Sequence, residues 1–292
     1  MTTDVGITSV AAELDLEPLT SSIGARVHAG DPRDLDDRRV SLVRAALAEH
    51  GVLVFRAPGM SKDEQVEFAS RFGAPVGHPV REQLGGPTED PVAVVENHGE
   101  KPSQDDQHFH TDYSFHTHVP ELAVLRPEVL PSRGGDTIWA STTAAFRLLS
   151  DRYVDFLRGL SGVHDAGERF WFEVDRTLGT EAAASLRREF PPQEHPVVGR
   201  HPVTGSPLLF VNPGYTIGLT GLSPTESRST LAALFDVVND SSLHFRHRWQ
   251  LGDLVMWDEL TTVHRAPSDF SPDHRRLTRV TVGRTAPLPL DA

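Results

Sequence analysis

The chain predicts a mainly β protein with flanking helices, a double-stranded β-helix of the jelly-roll, cupin-like kind. Three observations carry that expectation. Short apolar runs bounded by Gly, Pro and Asp recur along the 292 residues. Well-marked helical patterns are few and do not alternate with the runs as βαβ units would. No internal repeat, low-complexity tract or break in composition divides the chain, so residues 1–292 read as one domain.

In chain order, Val40, Val43 and Leu47 repeat at helical spacing and Gly51 follows as a stop. The run 52–55 is a strand. Ser61-Lys-Asp-Glu64 is a capping box that opens a short helix, closed by Gly73. Runs 92–95, 122–125 and 137–139 are strands, and Ser141 begins one helix, or two short ones, through Phe146, Leu149, Val154 and Leu157. Run 208–211 is another strand. Ser223-Pro-Thr-Glu226 is a second capping box, with proline at the first helical position, leading into Leu231, Leu234, Phe235 and Val238. Runs 243–249, 254–257 and 277–282 complete the β set. Segments 80–108 and 162–200 are polar, carry Gly and Pro, and read as lid or binding-loop insertions.

Composition narrows function. With 41 acidic against 28 basic side chains and a formal charge of −13, the chain lacks the basic surface that nucleic-acid binding relies on. It has no cysteine, which excludes disulfides, zinc ribbons, iron–sulfur clusters, thiolate haem ligation and a cysteine nucleophile. A metal must therefore sit on imidazole and carboxylate, and there are 15 histidines to draw on. The N-terminal stretch has no basic region followed by an apolar one, and no apolar run reaches membrane-spanning length. The expectation is a cytoplasmic protein acting on a small molecule, without membrane or nucleic-acid partners.

The sharpest local feature is Gln107-His-Phe-His-Thr-Asp-Tyr113. On a strand, His108, His110 and Asp112 share one face. An H-x-D pair presents imidazole and carboxylate to one point, and a third ligand from a distant strand would complete the 2-His-1-carboxylate face of non-haem Fe(II) oxygenases. The residue types alone equally suit zinc or nickel, and His116-Thr-His118 is a competing pair. Further on, Gly252–Asp258, His264 and the strand from Arg275 to Val282 follow one another. Arg275 and Arg279, four apart on a strand, point the same way. Their planar forks match carboxylate or sulfonate oxygens.

Taken together these segments resemble the taurine dioxygenase (TauD/TfdA) family of Fe(II)/2-oxoglutarate-dependent dioxygenases. The resemblance runs nearly end to end: 51–55, Arg71-Phe-Gly73, the FHTD motif, Pro131 to Trp139, His195-Pro-Val-Val, His201 to Gly205, Leu209-Phe-Val-Asn212, Trp249, 252–258 and the His264/Arg275/Arg279 spacing. It implies His110, Asp112 and His264 as iron ligands. Thr137 would hydrogen-bond the 2-oxoglutarate carboxylate and Arg275 would clamp its distal carboxylate. Arg279 would meet the anionic end of the prime substrate, His78 would contact that substrate, and Tyr215 would form an aromatic wall. The implied cofactors are Fe(II), 2-oxoglutarate and O2, the implied products succinate, CO2 and an oxidised C–H bond. A homo-oligomer, dimer or tetramer, is what related proteins often form.

Two positions depart from the taurine-type pattern. Arg81 stands where a tyrosine is usual, and Asp106 where an asparagine is usual. Both fall on the substrate side, contacting substrate or each other, so the prime substrate is expected to be a small anion (carboxylate, sulfonate, sulfate or phosphonate) other than taurine. Two other classes fit the residue types: a zinc or nickel cupin-type enzyme, and a small-anion binding protein. His108, His116 and His118 read as neighbours of the site, Trp139, Trp249 and Trp257 as core, and Asp253 and Asp258 as turn residues. Phe170, Trp171 and Phe172 read as an aromatic patch in a long loop.

Overall fold

The computed structural model describes residues 10, 12–28, 30–77, 91–99 and 108–291. Its strands are β1 (Leu16–Pro18), β2 (Ala25–Val27), β3 (Val52–Arg56), β4 (Pro75–Val76), β5 (Val92–Asn97), β6 (Leu122–Val129), β7 (Thr137–Ser141), β8 (Ser161–His164), β9 (Gln193–Pro196), β10 (Val198–Arg200), β11 (Pro207–Leu209), β12 (Thr216–Leu219), β13 (His244–His247), β14 (Asp253–Asp258), β15 (Thr262–Arg265), β16 (Arg275–Val282) and β17 (Leu288–Pro289). The helices are α1 (Asp37–His50), α2 (Lys62–Ser70), α3 (Thr142–Arg147), α4 (Asp151–Leu157), α5 (Glu168–Leu178), α6 (Thr180–Glu189) and α7 (Pro224–Val238).

The major sheet runs β1-β2-β3-β14-β6-β16, with β4 and β5 both on the far edge of β16. Every pair in it is antiparallel except β2–β3. Opposite lies the minor sheet β13-β7-β15, which His110 extends by an isolated bridge to His264. Period-two alternation assigns the faces. Val52, Val54, Ala123, Leu125, Val255, Trp257 and Leu277 point inward and meet Trp139 and Phe245 of the minor sheet. Their alternates, Leu53, Phe55, Val124, Leu254, Met256 and Val280, point outward onto α1 and α2. Ile138, Ala140 and Val263 pack outward from the minor sheet onto α3 and α7. Both faces of the major sheet are thus covered, which is why runs 52–55 and 254–257 are apolar without interruption. Burying each such large side chain contributes roughly 1.5–3 kcal/mol.

Local signals behave as their chemistry dictates. Both capping boxes form, Ser61 with Glu64 and Ser223 with Glu226. Gly51 ends α1 with φ 69°, donating to Leu47. The stretch after Ser141 is two short helices, not one. Two expectations need correction. Segment 162–200 is not a long loop: β8, α5, α6 and β9 occupy most of it, and Trp171 lies buried on α5 while Phe172 faces solvent. Residues 108–113 do not form a strand through to Asp112. Only His110 bridges, and the chain then turns, with Tyr113 at φ 57°. Asp253 and Asp258, the buried first and last residues of β14, each cap the adjoining turn, Asp253 Oδ2 accepting the Gln250 N–H and Asp258 Oδ1 those of Leu260 and Thr261, and they also meet His247 and His201. Among the described residues, no helix is long and apolar enough to cross a membrane.

Candidate metal centre

The site lies between the two sheets, where β15, the turn after His110 and the start of β16 meet. His110 and His264 exchange main-chain hydrogen bonds, N–H to O at 3.0 and 2.8 Å, which sets their rings side by side with centroids 4.3 Å apart. Gly214 packs against the first of them, since a Cβ there would stand 2.9 Å from the His110 Cβ. Beyond the bridge at His110 the Asp112 carboxylate lies close to both imidazoles. Its Oδ1 lies 3.7 Å from His110 Nε2 and 3.8 Å from His264 Nε2. One ligand atom from each residue lies within 4.8 Å of the others, and no other such trio occurs among the described residues.

The donor set suits a divalent transition metal. His110 Nδ1 is hydrogen-bonded to the His108 carbonyl at 2.9 Å, which places the proton there and leaves Nε2 with its lone pair toward the centre. Burial, reinforced by His110, holds His264 well below the ordinary histidine value, so its imidazole stays neutral, the form that binds metal. Two imidazoles and one carboxylate on a single side match an octahedral ion with three remaining positions.

Arg279 and Glu259 flank Asp112. Arg279 donates through Nη1 to Asp112 Oδ1 at 2.9 Å and lies 2.7 Å from Oδ2. Its other arm reaches the Tyr113 hydroxyl at 3.4 Å. Burial pushes that phenol up to about 12, so it remains protonated. Glu259, with no exposed surface, accepts the Asp112 main-chain N–H at 2.9 Å. Burial and the adjoining Asp112 carboxylate push its carboxyl well above the usual range.

At the other end of the cavity Arg275 is 2 % exposed although it is an arginine, and it is held rather than solvated. Its Nε donates to the Gly135 carbonyl at 2.9 Å and its Nη2 to Thr137 Oγ1 at 3.4 Å. Gly135 has φ 72°, and a Cβ on it would meet Pro131 at 2.8 Å and Arg275 at 3.2 Å. Thr137 Oγ1 also accepts the Trp249 indole N–H at 3.0 Å.

A cavity of about 90 Å³ joins these groups, with His110, His264, Thr137, Arg275, Arg279 and Trp257 among its walls. Six of the residues singled out from the sequence therefore converge: His110, Asp112, His264, Thr137, Arg275 and Arg279. Tyr215 stands beside them, its ring 5.8 Å from His110. His78, Arg81 and Asp106 lie outside the described residues. Trp257 is core on one side and cavity wall on the other, and Trp249 reaches the site through Thr137.

Sequence reasoning missed Glu259 and a buried polar network under the ligand turn. In that network Ser114 Oγ meets His164 Nδ1 at 3.1 Å and accepts from Asn212 Nδ2 at 3.1 Å, while Thr216 Oγ1 meets His164 Nε2 at 3.2 Å. The signal available was Asn212, an amide closing an apolar run where a partner is obligatory.

Comparison with known proteins places this geometry. The family model "Taurine catabolism dioxygenase TauD, TfdA family" matches residues 15–281. An alkylsulfatase of Acinetobacter baylyi is 32 % identical over 278 residues, covering 92 % of this chain and 85 % of that protein. An alpha-ketoglutarate-dependent sulfate ester dioxygenase of Pseudomonas putida is 31 % identical over 287 residues, covering 96 % and 93 %. The crystal structure of a taurine dioxygenase from Burkholderia xenovorans superposes with a TM-score of 0.79 at 28 % identity, covering 96 % of this chain and 94 % of that one. A match over nearly the whole length, on the fold that brings the His-Asp-His trio together, makes the chain a member of the TauD/TfdA dioxygenase family.

Proposed function

We propose that the chain is an Fe(II)- and 2-oxoglutarate-dependent dioxygenase of the cytoplasm that hydroxylates a C–H bond of a small anionic substrate, a sulfate ester or sulfonate before a carboxylate or phosphonate. One observation carries this reading: the two histidines of a 2-His-1-carboxylate trio and a buried, held arginine line a single small cavity. His110, Asp112 and His264 hold the iron. The chemistry the iron supplies when bound is the coupling of O2 to oxidative decarboxylation of 2-oxoglutarate, giving succinate, CO2 and an oxidised substrate.

The protein's own part is orientation. Arg275 receives the distal carboxylate of 2-oxoglutarate, its fork aimed by the Gly135 carbonyl. Thr137, whose oxygen already accepts from Trp249 and Arg275, turns its O–H to the same carboxylate. A redox-inactive zinc or nickel centre would leave Arg275 and Thr137 without a task, and a plain anion receptor would leave the buried imidazoles without one. Arg279, beside the trio, provides the cationic contact for the substrate anion. The preference for sulfur oxyanions rests on the names of the two relatives that act on sulfate esters.

The test is an anaerobic titration of the apo-protein with Fe(II), then 2-oxoglutarate, watching for the weak visible charge-transfer band of the chelate. The band is expected, and Asp112→Ala or Arg275→Ala should abolish it. Iron binding with no band on adding 2-oxoglutarate would overturn the cosubstrate reading. A screen of alkyl sulfates, sulfonates and carboxylates for stimulated succinate release then identifies the substrate class.

A further inference from the structure

We propose that Glu259 is a positioning residue of the metal centre, holding both the Asp112 main chain and the Trp257 ring where the ligands need them. The inference rests on the reading of His110, Asp112 and His264 as metal ligands. Glu259 sits in the turn between β14 and β15 with no exposed surface. Each of its carboxyl oxygens has one N–H donor. Oε2 accepts from Asp112 N–H at 2.9 Å and Oε1 from the Trp257 indole N–H at 2.7 Å.

Each contact leads to a different ligand. The sheet ladder stops at His110, and Asp112 belongs to the turn beyond it. The Asp112 N–H therefore has no strand to pair with, and Glu259 supplies its acceptor, fixing the peptide from which the carboxylate projects. Through Oε1, Glu259 sets the rotation of the Trp257 ring, which packs 4.9 Å from the His264 ring and lines the cavity. The platform beneath Glu259 is itself anchored. Its N–H donates to the Glu121 carbonyl at 3.1 Å. Asp258 Oδ1 takes the N–H groups of Leu260 and Thr261 at 3.0 and 2.8 Å. Two convergent N–H donors, each needing its own oxygen, are matched by a carboxyl group and by no other natural side chain of that length. Glutamine offers one acceptor, so its amide N–H₂ would face one of the two donors.

The test uses the full-length apo-protein and Co(II) alone, reading affinity and the visible d–d spectrum, with far-UV circular dichroism as the check on folding. Wild type is expected to bind and His264→Ala is expected to lose binding. Glu259→Gln should weaken Co(II) by roughly 10–100-fold, as expected when a group orienting a ligand is removed. It should also alter the d–d band while keeping the native fold. Combining Glu259→Gln with Trp257→Phe removes the competing indole donor, lets the glutamine oxygen serve Asp112, and should recover part of the lost affinity. A folded Glu259→Gln protein with wild-type affinity and spectrum would overturn the proposal and leave the metal centre standing. Should Glu259→Gln fail to fold, Trp257→Phe alone decides. An affinity several-fold weaker supports the role, and an unchanged affinity and spectrum overturn it. Wild type that does not bind Co(II), or His264→Ala that binds equally well, overturns the metal centre and this inference with it.

Discussion

Arg279 and Asp112 form a nearly enclosed ion pair: one guanidinium nitrogen lies 2.9 Å from Oδ1 and 2.7 Å from Oδ2, and the two side chains are only 16 % and 5 % exposed. Arg279 thus orders a proposed ligand as well as offering its charge to a substrate. Arg279→Ala leaves the Asp112 carboxylate buried without its cation, a change that costs about 3 kcal/mol when the partner of a buried pair is removed. Saturating Mn(II) supplies a replacement cation, so the gap in thermal midpoint between variant and wild type should narrow on adding metal. If the gap is the same with and without Mn(II), Arg279 does not stabilise the protein through Asp112. In turnover the same variant should raise the substrate KM while substrate-independent consumption of 2-oxoglutarate persists.

Gly214 sets how closely the loop after β11 can approach the first imidazole. Alanine there would place a Cβ 2.9 Å from the His110 Cβ and 3.3 Å from the Phe109 carbonyl. Neither neighbour can yield easily, because His110 is tied to His264 by two main-chain bonds. Gly214→Ala should therefore lower stability by about 1–3 kcal/mol, the usual range for overpacking. It should also weaken metal binding by displacing His110, which calorimetric titration with Mn(II) would read directly.

Local chemistry was legible in the sequence, and chemistry made by tertiary turns was not. Ser61–Glu64 and Ser223–Glu226 announce their helices because a capping box is complete within four residues. Runs 52–55 and 254–257 announce strands because both faces of the major sheet are covered. Helix α5 does carry an apolar face, Phe170, Trp171 and Val174, but it was masked by the Gly, Pro and polar residues around it, and α6 buries only Ala183 and Leu186. Gly179, between them, breaks the period. His110 and Asp112 were found as a pair, yet the strand offered as the reason they converge does not exist. They converge because the chain leaves the ladder after His110 and the Asp112 N–H finds its acceptor on Glu259, a partner far along the chain that no local pattern announces. Glu259, next to Asp258 and ahead of two threonines, reads as a solvated turn. Only the fold reveals that it is wholly buried.

Acid should destabilise the protein through the network beneath the ligand turn. Burial, with neighbouring His195, drives His164 down to about 3 from an ordinary value of 6.5, and burial lowers His195 as well. The unfolded chain takes up protons on these imidazoles below about pH 6.5, whereas the folded chain does not. Their contribution to stability is therefore full above that value and is lost progressively as pH falls toward 3. Between about pH 7.5 and about pH 5, His164 alone should account for about 2 kcal/mol, at about 1.4 kcal/mol per pH unit below the unfolded value. Urea unfolding at the two pH values measures the loss, and His164→Gln should show a shallower dependence even though its stability at neutral pH is lower.

The last prediction concerns the shape of the cation at the far end of the cavity. Arg275 is aimed from three sides, by the Gly135 carbonyl, by Thr137 Oγ1 and by the Phe270 ring 5.6 Å away. A lysine would keep the positive charge. Its compact ammonium, however, cannot hold the Gly135 carbonyl while presenting two parallel N–H groups to a carboxylate. Arg275→Lys should accordingly raise the KM for 2-oxoglutarate at least tenfold, about 1.4 kcal/mol of lost binding, with Mn(II) affinity unchanged because the side chain's hydrogen bonds go to Gly135 and Thr137. The measurement is a pair of titrations on one preparation, Mn(II) to the apo-protein and 2-oxoglutarate to the metal-loaded protein. A parallel loss in both would mean that Arg275 supports the fold around the metal. A loss confined to 2-oxoglutarate would assign it to the cosubstrate, since a charge without the fork would then have been shown to be insufficient.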